Sequence, residues 1–193
     1  ARMAAMTGDG DWGLVGHRWA VHSLRRALAR NELSHAYLFT GAPGVGKNAL
    51  AQVLAAAVFC ERSPDPCGVC RACCLLASGS HPDLHRLEPD PETARLKIEQ
   101  VRELQRQLSL TPNLADCRLA ILDRFELATP SAANALLKTL EEPPPHASLI
   151  LLAPDTESLL PTIVSRCQVV PLRPVPALLV EQALQERWGV EAD

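Results

Sequence analysis

One stretch constrains this chain more than any other: Gly41-Ala42-Pro43-Gly44-Val45-Gly46-Lys47-Asn48. It lies between a short apolar run at 36–40 (AYLFT) and a segment at 47–60 rich in Ala, Leu and Val with helical spacing. This is the glycine–lysine spacing of a Walker A phosphate loop, which requires a strand before it and a helix after it. The glycines let successive backbone N–H groups turn inward onto phosphate oxygens. The helix N-terminus adds free N–H groups and a favourable dipole, and Lys47 adds a compact positive charge. The candidate nucleotide-binding residues are therefore Gly41, Gly44, Val45, Gly46, Lys47 and Asn48. A glycine turn with an incidental lysine is the bland alternative, and the flanking strand and helix weigh against it.

The rest of the chain alternates in the same way. Further apolar runs lie at 84–87, at 118–122 (RLAIL), at 148–152 (SLILL) and at Val169, Val170 and Leu172. Helical spacing covers 98–108, with Ile98, Val101, Leu104 and Leu108 on one face, and also 131–140, 159–165 and 177–188. Pro143-Pro144-Pro145 stops the second of these. Strands alternating with crossover helices predict an α/β fold with a parallel sheet covered on both faces. The expected class is a P-loop NTPase of AAA+/RecA-like type, with a small cysteine-bearing insertion at about 60–80. Arg173-Pro174-Val175-Pro176 breaks the pattern, so the expected division is a nucleotide-binding-like domain at 1–172 and a new unit starting at 173–193.

Composition narrows the function. The 193 residues suffice for one domain and the start of a second. A net charge of −3 excludes a globally basic nucleic-acid binder, and 4% aromatic residues argue against stacking platforms for single strands. No apolar run reaches membrane-spanning length, and the first residues lack the apolar stretch of a secretory signal. The expected location is cytoplasmic, with no membrane partner. Seven cysteines then need an explanation other than disulfides. Cys60, Cys67, Cys70 and Cys73 give C-x6-C-x2-C-x2-C, with Pro66 and Gly68 as turn residues. Four thiolates on tight turns suit a closed tetrahedral Zn²⁺ site of structural type. Cys74 competes with Cys73 as the fourth ligand, because both spacings fit a helix starting near Cys70. Cys117 and Cys167, which flank strands, are expected to be inert core residues.

The hydrolytic positions depart from the pattern of an active enzyme. The residue after the loop lysine should be Ser or Thr, whose hydroxyl binds Mg²⁺, and here it is Asn48. Asp123, at the end of the RLAIL strand, fits the acidic Mg²⁺ position. In AAA+ ATPases a glutamate usually follows to polarise water, and here Arg124 follows, which cannot act as a base. Glu126 would need a shifted backbone to substitute. ATP or ADP binding stays open, while these residues argue against Mg²⁺-dependent turnover.

Beyond these motifs, Ala133-Asn134-Ala135-Leu136-Leu137-Lys138-Thr139-Leu140-Glu141-Glu142-Pro143-Pro144 and Ser165-Arg166-Cys167 resemble bacterial DNA polymerase III clamp-loader subunits. Val15-Gly16-His17, Ser34-His35-Ala36-Tyr37, the cysteine insertion and His81-Pro82-Asp83 occur in the same order as in that family. The resemblance covers nearly the whole chain from about Leu14. Of the two relevant branches, the motor (gamma/tau) keeps Thr after the loop lysine, an Asp-Glu pair and a Thr-bearing sensor. This chain has Asn48, Asp123-Arg124 and Ala153-Pro154-Asp155 there, which is similar to the delta-prime branch. The resemblance implies a non-motor subunit that helps ATP-driven loading of the sliding clamp onto primed DNA. Its implied partners are the motor (gamma/tau) and delta subunits directly, and the clamp and primed DNA through the assembly. It implies that Arg166 is an arginine finger acting on a neighbour's ATP, and that a helical lid begins at Val175. The alternative is a gamma/tau-type motor ATPase.

Overall fold

The computed structural model describes residues 12–188. The amino-terminal segment read above as lacking a signal lies outside the described residues, as does the end of the 173–193 unit. The described chain runs α1 (Arg18–Ala29), β1 (Ala36–Thr40), α2 (Lys47–Phe59), α3 (Arg71–Ala77), β2 (Leu84–Leu87), α4 (Ile98–Leu108) and β3 (Arg118–Leu122). A single 3₁₀ turn (Phe125–Leu127) then leads to α5 (Pro130–Glu141), β4 (Ala147–Ala153), α6 (Pro161–Val164), β5 (Gln168–Pro171) and α7 (Ala177–Trp188). The five strands form one sheet in the order β2-β3-β4-β1-β5, parallel throughout.

The expected α/β fold with a doubly covered parallel sheet is what the chain adopts. Alternate residues of the three central strands feed two separate cores, as the period of two requires. Ala36, Leu38, Ala120, Leu122, Leu149 and Leu151 pack under α4 and α5. Tyr37, Phe39, Leu119, Ile121, Ile150 and Leu152 pack under α1 and α2. Between α4 and α5, Gln105 Nε2 donates to the Ala135 carbonyl (2.9 Å) and to Thr139 Oγ1 (2.7 Å). At the start of α5, Thr129 Oγ1 accepts from the Ala132 N–H and Pro130 opens the helix.

Several local expectations change. The last strand stops at Pro171; Leu172 follows it and still donates its N–H to the Thr40 carbonyl, at 2.7 Å. This strand forms the sheet edge, so Gln168 and Val169 are exposed and the doubly buried reading fails there. The helix expected at 159–165 is only the four residues of α6. A helix not anticipated, α1, covers one face through Ala20, Val21 and Leu24. Cys117 and Cys167 are half-buried rather than fully enclosed, and burial pushes both thiols up to about 11.

Candidate functional site: a phosphate loop, a cysteine cluster and an outward arginine

The phosphate loop joins β1 to α2 at the carboxyl edge of the sheet. Gly41 has φ 146° and lies so close to the chain after β5 that a Cβ there would meet the Leu172 carbonyl at 2.4 Å. Only glycine tolerates both conditions. The Gly41 N–H donates to the Pro154 carbonyl after β4 (2.9 Å), which ties the loop to the neighbouring strand. Lys47 Nζ reaches back to the carbonyls of Gly41 and Ala42 (3.1 Å to the latter). Burial pushes its amine below the usual lysine value, and Glu126 and then Asp123 pull it partly back.

A cavity of about 380 Å³ opens here, lined by the loop, Asp123, Arg124, Glu126 and Pro154. Asn48 lines it too, but its Oδ1 accepts from Gln52 Nε2 one helical turn on, at 2.6 Å. The amide oxygen that could have faced a cation is therefore engaged along the helix. Asp123 accepts from the Arg124 N–H at 3.0 Å. Arg124 itself takes a left-handed conformation (φ 47°), and its exposed position opens the 3₁₀ turn. Glu126, within that turn, lines the cavity, and its Oε2 is buried without a hydrogen-bond partner among the described residues.

His17, left-handed at the start of α1, meets the Val45 carbonyl through Nε2 at 2.8 Å. On its other side is a cleft of about 610 Å³ between 14–19 and the segment from Arg173 into α7, with Leu14, Val15, Val175, Pro176 and Leu179 in its walls. A phosphate cradle beside a largely apolar cleft can hold a nucleotide with its base in the cleft.

The structure brings Cys60, Cys67, Cys70 and Cys73 together, with their sulfurs all within 4.8 Å of one another. A tetrahedral Zn²⁺ with bonds of about 2.3 Å needs sulfurs about 3.8 Å apart, and Cys60 and Cys70 Sγ are 4.0 Å apart. Backbone N–H groups of Arg62 and Cys67 point at Cys60 Sγ, and that of Cys70 at Cys67 Sγ, all at 3.3 Å. Such donors favour thiolates: those of Val69 and Cys70 bring the Cys67 thiol down to about 6. Burial pushes Cys60 and Cys73 up. Cys74 is exposed and turned to the Val69 carbonyl (3.6 Å), outside the cluster. The donor set and spacing fit a zinc ion. The insertion is docked to the body by Arg25–Asp65 (2.6 Å), by Trp12 Nε1 donating to the Pro64 carbonyl (3.1 Å), and by His81 stacked on Phe59 (centroids 4.3 Å).

Arg166 follows α6 and precedes β5, so it lies at the amino edge of the sheet. The loop leaves β1 at the opposite edge, and a five-residue strand separates them by roughly 16 Å. Arg166 accordingly does not line the phosphate cavity. Its Nη2 pairs with Glu141 Oε1 at 2.8 Å and its Nη1 donates to the Thr162 carbonyl at 2.9 Å. The engagement of Asn48 by Gln52 and the pairing of Glu141 with Arg166 were not read from sequence. The first has a signal, an i,i+4 amide pair, and the second joins elements that only the fold brings together.

Comparison with known proteins agrees with this geometry. The model of the family described as "DNA polymerase III, delta subunit" matches residues 16–176. The delta′ subunit of DNA polymerase III from Bacillus subtilis is 39% identical over 165 residues, 85% of this chain and 50% of that protein. The delta′ subunit from Pseudomonas aeruginosa is 43% identical over 147 residues, 74% of this chain and 45% of the relative. The tau subunit of B. subtilis is 35% identical over 157 residues, 80% of this chain and 27% of its own length. This chain thus spans about half the length of the delta′ relatives. Among solved structures, a gamma subunit-related protein of Thermotoga maritima superposes with a TM-score of 0.61 at 25% identity, over 87% of this chain and 50% of that one. T. maritima RuvB, at 15% identity and a TM-score of 0.58 over 89% of this chain and 50% of its own, shares the fold. The chain belongs to the DNA polymerase III delta subunit family, as a delta-prime-like clamp-loader subunit.

Proposed function

We propose that this protein is a non-motor subunit of the replicative clamp loader, with little or no ATPase of its own, and that it lends Arg166 to the ATP site of an adjacent motor subunit. The observation that carries this reading is the separation of Arg166 from its own phosphate cavity by the full depth of the sheet. A guanidinium at the amino edge has no route to phosphates held at the carboxyl edge, so any nucleotide that Arg166 acts on belongs to a second chain. There, forked donors stabilise charge developing on the transferred phosphoryl group. The cavity's own residues support the same reading: Asn48 is engaged by Gln52, Arg124 stands where a water-polarising glutamate is expected, and Pro154 replaces a hydroxyl sensor. Motor (gamma/tau) and delta subunits are the proposed direct partners, with the sliding clamp and primed DNA reached through the assembly, in the cytoplasm. The cysteine cluster holds a structural Zn²⁺, and the segment from Arg173 begins a helical lid.

The test reconstitutes the full-length protein with its motor and delta subunits. Arg166→Ala should leave its own fold and zinc intact yet slow clamp- and DNA-stimulated ATP hydrolysis. Arginine fingers elsewhere are worth about 10³–10⁵ in rate, and several active sites in one assembly dilute that in a bulk assay. Arg166→Lys should fail as well, because a point charge lacks the planar fork. Wild-type rates for both would end the finger role. A second reading, a motor-type ATPase, draws on Glu126, whose carboxylate faces the cavity beside Lys47. Steady turnover of ATP by the protein alone would favour it.

A further inference from the structure

The contacts around Arg166 single out a residue to which the family comparison assigns no role. The guanidinium has two anchors of different kinds. One is local: the Thr162 carbonyl, in the turn that Arg166 itself follows, accepts from Nη1 at 2.9 Å, with Ser165 Oγ 3.5 Å from the same nitrogen. The other comes from a different element: Glu141, the last residue of α5, pairs with Nη2 at 2.8 Å. Those contacts leave the Nε–H and Nη2–H groups without a hydrogen bond among the described residues, Nη2 being held by the ion pair alone, so that this edge is free to meet a phosphate.

Glu141 is in an unfavourable place for its own helix. A carboxylate in the last turn faces the negative end of the helix dipole, and Glu142 adds a second one beside it. A cation there would suit α5 better. The side chain is half exposed, at 50%, and an ion pair that open contributes little to folding. Neither helix stability nor core packing accounts for Glu141, whereas orienting a guanidinium does. A free arginine samples many rotamers, and a finger is effective only when its fork is held in place before the phosphate arrives.

We propose that Glu141 is the positioning residue for Arg166. It fixes the guanidinium against the end of α5, so that the remaining edge of the fork is presented outward to a nucleoside triphosphate bound by the adjacent subunit. The inference rests on the finger reading above and deepens it. Because Glu141 acts through Arg166, it should affect the transition state more than nucleotide binding: kcat should fall while KM for ATP stays nearly unchanged.

The experiment uses the complete reconstituted clamp loader carrying Glu141→Gln, Glu141→Ala, Arg166→Ala, or Glu141→Gln combined with Arg166→Ala. The readouts are clamp- and primed-DNA-stimulated kcat and KM for ATP, with zinc content and thermal midpoint of the isolated variant as controls for folding. Glu141→Ala should lower kcat by up to about tenfold, and Glu141→Gln by less, since its amide oxygen still accepts a hydrogen bond. In the Arg166→Ala background, Glu141→Gln should change nothing further. If Arg166→Ala slows hydrolysis but both Glu141 variants run at wild-type or higher rates, the positioning role is overturned and the finger stands. A Glu141 effect that persists without Arg166 also overturns it. If Arg166→Ala itself is silent, the finger reading fails first and this inference with it.

Discussion

Asp83 shows how a single buried charge can organise several loops. Its side chain is fully enclosed, and its oxygens accept from the backbone N–H groups of Asn113 (2.7 Å), Leu114 (2.7 Å) and Ala115 (3.1 Å). Burial alone would raise this carboxyl, but those three donors and then Arg118 outweigh it and hold it below the usual value. Arg118, also buried, is 4.0 Å from Asp83 and spends its donors on the Leu110 and Thr111 carbonyls and on His85 Nε2 (3.0 Å). Arginine has no acceptor, so Nε2 of His85 must accept, and the neutral ring carries its proton on Nδ1. Burial first and Arg118 second push His85 below the ordinary histidine value, against a weaker opposite pull from Asp83 and Glu103. His81 is lowered by burial as well, with Asp83 opposing. For a histidine lowered in the fold, the unfolded chain takes up the proton first. Stability is therefore full above about pH 6.5, falls as pH drops below that value, and levels off beneath the folded pKa. The Asp83 contribution has a separate window and is lost only at more acidic pH, below about 4. Thermal unfolding between pH 8 and 5 should show the decline, and His85→Gln, which keeps an acceptor for Arg118, should flatten part of it. An unchanged slope in that variant would remove His85 from the account.

The cysteine insertion is the element on which sequence and fold divide the labour. The C-x6-C-x2-C-x2-C spacing named the sulfurs but left Cys73 and Cys74 in competition. The choice depends on the rotation of α3, which starts at Arg71 and turns Cys73 inward to near-complete burial while Cys74 faces out. One zinc per chain is the expected content. Cys73→Ser should abolish it and Cys74→Ser should leave it unchanged; mass spectrometry under native conditions or elemental analysis decides. Chelation should loosen the insertion without unfolding the sheet, because the buried members of both cores come from other elements and the insertion adds the partly buried Ala72 and Leu76 at the margin of one of them. The same division runs through the rest of the chain. The central strands were legible because continuous apolar runs suit strands buried on both faces. Helix α1 carried its signal as well, with Ala20, Val21, Leu24 and Leu28 on one face and Arg18, His22, Arg25 and Arg26 on the other, so it was legible in principle though not anticipated. The phosphate loop was legible because its chemistry is local and contiguous. The burial of Glu126 and the Glu141 clasp were not, because each depends on a side-chain direction or a tertiary neighbour that spacing does not encode, whereas the Asn48–Gln52 amide pair at i,i+4 was legible in principle.

At the scale of the whole molecule, the parallel sheet puts the phosphate loop and Arg166, the proposed finger, on opposite edges. The carboxyl edge carries a phosphate cradle with its lysine in place, and the amino edge carries Arg166. A protein built this way can hold nucleotide as a structural ligand while acting chemically only on the nucleotide of a neighbour. The last prediction separates binding from turnover on the first of these edges. The protein should bind ADP or ATP in a manner that depends on Lys47, and should release phosphate very slowly or not at all. Lys47→Ala should weaken nucleotide binding in calorimetric titration while the sheet stays folded, because among the described residues the amine's hydrogen bonds go to two loop carbonyls at the rim of the cavity. Arg124→Glu should not restore turnover. The new carboxylate would inherit a left-handed backbone (φ 47°), a conformation costing about 1–2 kcal/mol for a side chain of this kind, on an exposed residue at the wall of the cavity. Asn48 would still be engaged by Gln52, so the hydroxyl that should bind Mg²⁺ would still be missing. If Arg124→Glu alone gave steady phosphate release, Asn48 would be cleared and the defect would reduce to a single residue. If Asn48→Thr were also required, metal ligation and water activation are both lost here, and the carboxyl edge binds nucleotide without consuming it.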